Sequence, residues 1–408
     1  MQYRTVPKTN DSLSALGFGC MRFPEKMGFI DEERSIHLLR KAIDNGVNYL
    51  DTAWLYHKGE SEAFLGRALE DGYRKKVKLA TKLPQWVVKN REDMDRFLNM
   101  QLNRLKTDTI DYYLLHSLNR ESWHRLLDYG VTDFLDTAKK DGRIINAGFS
   151  FHEDTASFKE IVDGYNWEFC QIQYNILDEY HQAGREGLMY AAEKNLAVII
   201  MEPLLGGKLA SDPPQEVQAV WNEAEIKRTP AEWALLWLWN HPEITVVLSG
   251  MNDETHLQEN LKIASNAFPG SLSKAEVELI RRAADTYQSL MKIPCTGCGY
   301  CMPCPFGVDI PTCFEIYNTR HIFKDVKHSW FTYAGRVGGA LGTTSRASLC
   351  RTCNTCIQAC PQHIPIPARL QDVAQEFEGI TFRLFVATAQ ICMPIIRIIE
   401  LVRNRKHR

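Results

Sequence analysis

Short apolar runs alternate with longer amphipathic stretches through the first two thirds of this chain. The runs are Leu16–Gly19, Val47–Asp51, Val77–Thr81, Ile110–His116, Ile145–Ser150, Phe169–Tyr174, Ala197–Glu202 and Thr245–Ser249. Each has the length and continuous apolarity of a strand buried on both faces. The stretches between them repeat with a helical period. Asp31 is placed to cap a helix reaching Asp44, and Thr229-Pro230-Ala231-Glu232 combines an N-cap, a first-turn proline and a capping-box glutamate. Ser273-Lys274-Ala275-Glu276 is a second such box, opening a helix to about Leu290. The tryptophan-rich stretch Trp233–Trp239 reads as core packing rather than a cofactor box. Strands alternating with helices eight times over about 250 residues predict an α/β protein whose main body is a (β/α)8 TIM barrel.

Composition adds a second body. At 408 residues the chain exceeds one barrel, and its 45% apolar and 24% charged residues are those of an ordinary globular protein. A net charge of −2 supplies no basic field for nucleic acid. Met1–Lys8 lacks the apolar core of an export signal, so the expected location is the reducing cytoplasm. Twelve cysteines there imply metal rather than disulfides, and ten of them lie between Cys295 and Cys392.

Three successive strand ends carry Asp51, Lys82 and His116, and Tyr56 follows the first by about one turn. In a parallel barrel these groups meet at one mouth. A phenol is a usable general acid at neutral pH when a cation stands beside it. With Asn48–Tyr56, Val77–Lys82 and Ile110–His116, the chain resembles the aldo-keto reductases, whose Asp-Tyr-Lys-His tetrad matches Asp51, Tyr56, Lys82 and His116. The resemblance covers residues 1 to about 270 and implies reduction of an aldehyde or ketone by NADPH or NADH. It implies that Tyr56 donates the proton, that Lys82, paired with Asp51, lowers the Tyr56 pKa, and that His116 orients the carbonyl. Ser150 and Gln171 match the residues that hold the nicotinamide carboxamide, although Phe151 stands where relatives carry Asn. Pro203, Leu204, Gly206 and Lys208 match the pyrophosphate loop, while Glu259 and Asn260 match adenine contacts. Gly250 and His256 replace the cations that grip a 2′-phosphate in relatives favouring NADPH. Trp54, Trp86 and Leu118 are placed to line the substrate mouth.

Cysteines 295, 298, 301 and 304 form one run, and Cys350-x2-Cys353-x2-Cys356-x3-Cys360-Pro361 forms a second. The second has the four-iron four-sulfur spacing, which sends its fourth cysteine to another cluster. Zinc sites use two pairs separated by a dozen or more residues, a different pattern. This half resembles a bacterial two-cluster ferredoxin, implying two 4Fe–4S clusters in a small, mainly helical domain. The crossing pattern gives one cluster Cys295, Cys298, Cys301 and Cys360, and the other Cys350, Cys353, Cys356 and Cys304. Cys313 reads as a buried free thiol. The expected domains are a barrel over residues 1–290, an iron–sulfur domain over 291–375, and an amphipathic, basic tail over 376–408. The apolar stretch of this tail, Leu384 to Ile396, is too short and, with Pro394, too interrupted to span a bilayer, and docking on protein is favoured over a peripheral membrane contact. A second reading of the whole chain is an electron-transfer adaptor, its barrel a docking or nucleotide-sensing body for a protein partner. Hydride transfer moves two electrons and each cluster one, and no flavin motif divides them.

Overall fold

The computed structural model describes residues 1–180, 182–295, 297, 299, 301–340, 343–360 and 363–390. The eight apolar runs form parallel strands β1 (Leu16–Gly19), β2 (Tyr49–Asp51), β3 (Lys78–Leu83), β4 (Ile110–Leu118), β5 (Ile144–Phe151), β6 (Phe169–Gln173), β7 (Ala197–Met201) and β8 (Ile244–Ser249). They pair in chain order, and β8 returns to β1 with Val247 opposite Leu16, which closes the barrel.

Strand parity decides what lies inside, because side chains two residues apart share a face. Tyr49, Ala80, Tyr112, Leu114 and Phe169 belong to the apolar cluster of the interior. Two residues further along the same strands, Asp51, Lys82, His116 and Gln171 inherit that inward face at the carboxyl ends. Val6 and Leu13, in and beside the hairpin of Tyr3–Thr5 with Ser12–Ser14, join the same cluster. The interior is tight: a Cβ added at Gly148 of β5 would stand 2.5 Å from the Phe169 ring.

The helix starts follow their sequence signals. Asp31 accepts from the Arg34 amide to open Glu32–Asp44, and Thr229 accepts from the Glu232 amide to open Pro230–Trp239. Ser273 and Glu276 bond each other reciprocally at the start of Lys274–Ser289. Trp233 and Trp239 are fully buried, and Trp239 Nε1 donates to Ala15 O, so this stretch is packing.

The chain divides into two compact units, one of Met1–Pro213 with Val220–Arg282, the other of Pro214–Ala219 with the residues from Ala283 onward. In the second unit, helices Ile310–Ile322, Val326–Arg336 and Ile366–Phe377 enclose a core that includes Cys313, Phe314, Tyr333, Leu370 and Phe377. Residues 380–390 are helical, and the rest of the expected tail, with Cys392, lies outside the described residues. Among the described residues no helix is long and apolar enough to cross a membrane.

Candidate active site

Lys82 is the hub of the barrel mouth. Its ammonium donates to Asp51 Oδ1 at 2.7 Å, Thr52 O at 2.8 Å and the Tyr56 hydroxyl at 3.2 Å, so its three protons have three acceptors. Side-chain exposure is 1% for Lys82 and 4% for Asp51, which removes most solvent screening from the pair. Burial pulls the Lys82 pKa down, but Asp51 and then Tyr56 push it up, and the net shift is upward. Gln171 Nε2 donates to the other Asp51 oxygen at 2.9 Å. His116 stands across from Tyr56, ring centroids 6.3 Å apart, with Trp86 5.2 Å away on its other side. Its buried Nδ1 has no partner among the described residues. Burial, then Lys82, then His152 lower the His116 pKa to about 2, so the imidazole is neutral at any working pH.

The Tyr56 hydroxyl departs from the expectation in one respect. Lys82 does lower its pKa, but burial outweighs that and the net shift is upward. Reasoning from the ion pair alone leaves out desolvation, the larger effect here.

Tyr56 is held by its own chain. His57 and Lys58, at φ 50° and 57°, take left-handed backbone conformations that non-glycine residues seldom adopt. The buried His57 ring accepts from the Phe23 amide at 3.1 Å and pairs with Glu25 Oε1 at 3.1 Å, which fixes the turn directly behind the phenol. Behind Lys82 lies a carboxylate that sequence reading passes over as a helix-surface charge. Glu62 is fully buried and accepts from Thr81 Oγ1 at 2.7 Å, Gln101 Nε2 at 2.7 Å and Arg104 Nη1 at 3.3 Å. Gln101 Nε2 also donates to Lys82 O at 3.0 Å, and the Arg104 guanidinium lies 3.7 Å from the Trp54 ring centre. Gln101→Leu strips Glu62 and the Lys82 carbonyl of a donor, and the expected loss is about 1–3 kcal/mol in urea unfolding monitored by tryptophan fluorescence.

The coenzyme candidates lie around the same rim. Ser150 and Gln171 are register partners on β5 and β6, and Ser150 Oγ accepts from the Ser117 amide at 2.7 Å. Pro203, Leu204, Gly206 and Lys208 lie in the loop after β7, where Gly206 and Gly207 have φ of 69° and 96° and are exposed. Asn260, on the helix after β8, donates to Ser249 Oγ at 2.9 Å. Glu259, on the same helix, accepts from Thr229 Oγ1 at 2.6 Å on an exposed face. Arg22 sits in no motif of the chain. It donates to Gly206 O at 3.0 Å, and its stem lies against Gly250, bringing a cation between the loop after β7 and the end of β8.

In the second unit, Cys301 and Cys304 of the first run share the lining of one cavity of about 120 Å³ with Cys350, Cys353 and Cys356 of the second. Burial raises the Cys356 pKa, helped by the neighbouring charges of Cys350, Cys353 and Cys304. Gly297 N and Thr352 N donate to the sulfurs of Cys295 and Cys350 at 3.4 and 3.5 Å. Thiols gathered with amide donors suit a thiolate-bound iron–sulfur core, and such hydrogen bonds tune its potential. Cys360 is 8% exposed and Cys313 fully buried, while Cys298 and Pro361 lie outside the described residues.

The model of the aldo/keto reductase family matches residues 15–285, and that of the 4Fe-4S dicluster domain matches residues 294–364. The uncharacterized oxidoreductase YqkF of Bacillus subtilis is 25% identical over 299 residues, 65% of this chain and 92% of that protein. The aldo-keto reductase yakc [NADP(+)] of Schizosaccharomyces pombe is 25% identical over 318 residues, 68% of this chain and 90% of its own. Among solved structures, an aldo-keto reductase from Bacillus halodurans in its holo form superposes with a TM-score of 0.58 at 26% identity, covering 69% of this chain and 96% of that one.

Proposed function

The chain belongs to the aldo/keto reductase family, and from that premise we propose that it reduces an aldehyde or ketone with Tyr56 as the proton donor. It is an NADPH- or NADH-dependent oxidoreductase of that type, carrying a 4Fe-4S dicluster domain with two clusters. The observation that supports the role of Tyr56 best is its hydroxyl 3.2 Å from an ammonium that buried Asp51 holds in place.

When bound, reduced nicotinamide supplies the hydride. The Tyr56 O–H hands its proton to the carbonyl oxygen, and the phenolate left behind is stabilised by the Lys82 ammonium it already touches. Because burial keeps the phenol protonated, the donor is loaded at neutral pH. His116, neutral and with Nδ1 unpartnered among the described residues, offers a hydrogen bond that turns the carbonyl toward Tyr56. Trp54, Trp86 and Leu118 line the approach. Ser150 and Gln171 would hold the carboxamide, Pro203, Leu204, Gly206 and Lys208 the pyrophosphate, and Glu259 and Asn260 the adenine. The backbone at Gly206 and Gly207, open to solvent and left-handed, suits close approach of phosphate oxygen. Cys295, Cys298, Cys301 and Cys360 are assigned to one cluster and Cys350, Cys353, Cys356 and Cys304 to the other. With both halves matched to their families, the adaptor reading is not favoured. An electron-transfer protein is the partner suited to the clusters.

Coenzyme oxidation by iron-loaded protein, followed by absorbance across a panel of aldehydes and ketones, tests the reading. No turnover with any member would count against it. The pH dependence is specific. His116 titrates far below the working range and Tyr56 above its ordinary value, so kcat should stay level from about pH 6 to 9 and fall only in more alkaline solution, as the phenol ionises. A limb near pH 6.5 that disappears in His116→Gln contradicts the neutral imidazole. Gly250→Lys, which adds a cation beside Arg22, should tighten NADPH relative to NADH by about tenfold in fluorescence titration.

A further inference from the structure

Each cysteine run is preceded by a backbone segment fastened to a buried polar side chain, and the two fastenings share a plan. In the first, the Cys295 amide donates to Ile293 O at 2.7 Å. Asn318, 6% exposed, grips that same residue from both sides, accepting from Ile293 N at 3.0 Å and donating to Ile293 O at 2.7 Å. In the second, the Cys350 amide donates to Ala347 O at 3.1 Å. Ala347 N donates to the Tyr333 hydroxyl at 2.9 Å, and that hydroxyl donates to Glu378 Oε1 at 2.7 Å. Glu378, also 6% exposed, further accepts from Ser348 N at 3.0 Å and from Ser348 Oγ, and lies 3.3 Å from Arg346 Nε.

A packed core does not need these groups. A buried amide or carboxylate costs free energy unless it is fully bonded, and here the bonds go to the two or three residues before the first thiol of each run. Asn318 lies on the helix Ile310–Ile322, and Glu378 follows the helix Ile366–Phe377, so each segment is tied to an element remote in sequence. We propose that Asn318 and Glu378 are positioning residues for the two clusters, Asn318 setting Cys295 for one and Glu378, through Tyr333 and Ser348, setting Cys350 for the other. The assignment rests on the two-cluster reading above. The fastenings differ in charge, and this adds a second consequence. Removing the Glu378 carboxylate takes a negative charge from beside the segment that leads into Cys350, which makes that cluster easier to reduce.

The test uses the full chain, reconstituted with iron and sulfide and reduced for electron paramagnetic resonance. The variants are Asn318→Leu, Asn318→Asp, Glu378→Gln and Glu378→Leu. Iron content of the parent comes first: less than two four-iron clusters' worth defeats the two-cluster reading itself, whatever the variants do. With both clusters present in the parent, Asn318→Leu should lower the signal of one cluster at least fivefold and leave the other, which shows that the second unit is still folded. Asn318→Asp keeps the acceptor for Ile293 N and should recover part of that signal. Glu378→Leu should remove the opposite signal, whereas Glu378→Gln should keep it and raise its midpoint potential in a redox titration. Variants that leave both signals at parental intensity overturn the proposal, as do variants at both positions that lose the two signals in equal measure.

Discussion

Tyr56→Phe is expected to lower carbonyl reduction at least about a hundredfold while leaving the dissociation constant of the reduced coenzyme within a few-fold of the parent. The separation follows from the geometry. The phenol ring packs at the mouth while its hydroxyl bonds Lys82 at 3.2 Å, its one hydrogen bond among the described residues, so the substitution removes a proton and little else. Lys82 keeps Asp51 and Thr52 O as partners, so the buried ion pair survives and the barrel should unfold at the parental denaturant concentration. Stopped-flow reduction of a reactive aldehyde would report the chemical step without product release. Turnover within a few-fold of the parent would remove Tyr56 from its role and leave His116, which faces it across the mouth, to be examined as donor.

The second large effect is expected across the two cysteine runs. Cys301 and Cys304 belong to the first run by sequence but line one cavity with Cys350, Cys353 and Cys356 of the second, and the crossing pattern gives Cys304 to the second run's cluster. Cys304→Ala should therefore abolish the cluster of the second run, and Cys360→Ala should abolish that of the first, although more than forty residues separate each cysteine from its partners. Electron paramagnetic resonance of the reduced variants, with iron content, reads the outcome. If each substitution removes the cluster of its own run, the ligands do not cross and the shared cavity has another cause.

Much of the fold can be read from the chain because a parallel barrel buries its strands on both faces. Val198, Ile199 and Ile200, or Val246, Val247 and Leu248, leave no reading but a buried strand. The tetrad is legible for a related reason: Asp51, Lys82 and His116 are polar residues at the ends of such runs, where water is the only alternative to chemistry. Other features cannot be read so directly. Glu62 follows Ser61 in what reads as an ordinary exposed helix start, and only tertiary packing reveals that Thr81, Gln101 and Arg104 converge on it. Arg22 acts on a carbonyl 184 residues away. Asn318 bonds to the main chain of Ile293, which carries no sequence signature, and the partners of Glu378, Tyr333, Arg346 and Ser348, lie thirty or more residues before it. The direction of the Tyr56 shift was missed because residue types announce charges but not the depth at which they are buried.

The turn at His57 and Lys58 has a bearing on attempts to redirect this reductase to new substrates. Those two side chains occupy backbone conformations that most residues reach only at a cost of about 1 kcal/mol or more each, and His57 also clasps Phe23 and Glu25. Randomising them would scatter the phenol before any new specificity could be selected. Leu55, next to Tyr56 in the chain, and Trp86 and Val87 are 46%, 46% and 38% exposed, and Trp86 meets the tetrad through a ring contact with His116 rather than a hydrogen bond. A library confined to those three positions would vary the shape of the entrance at a stability cost of about 0.5 kcal/mol per change and leave the proton donor where it is.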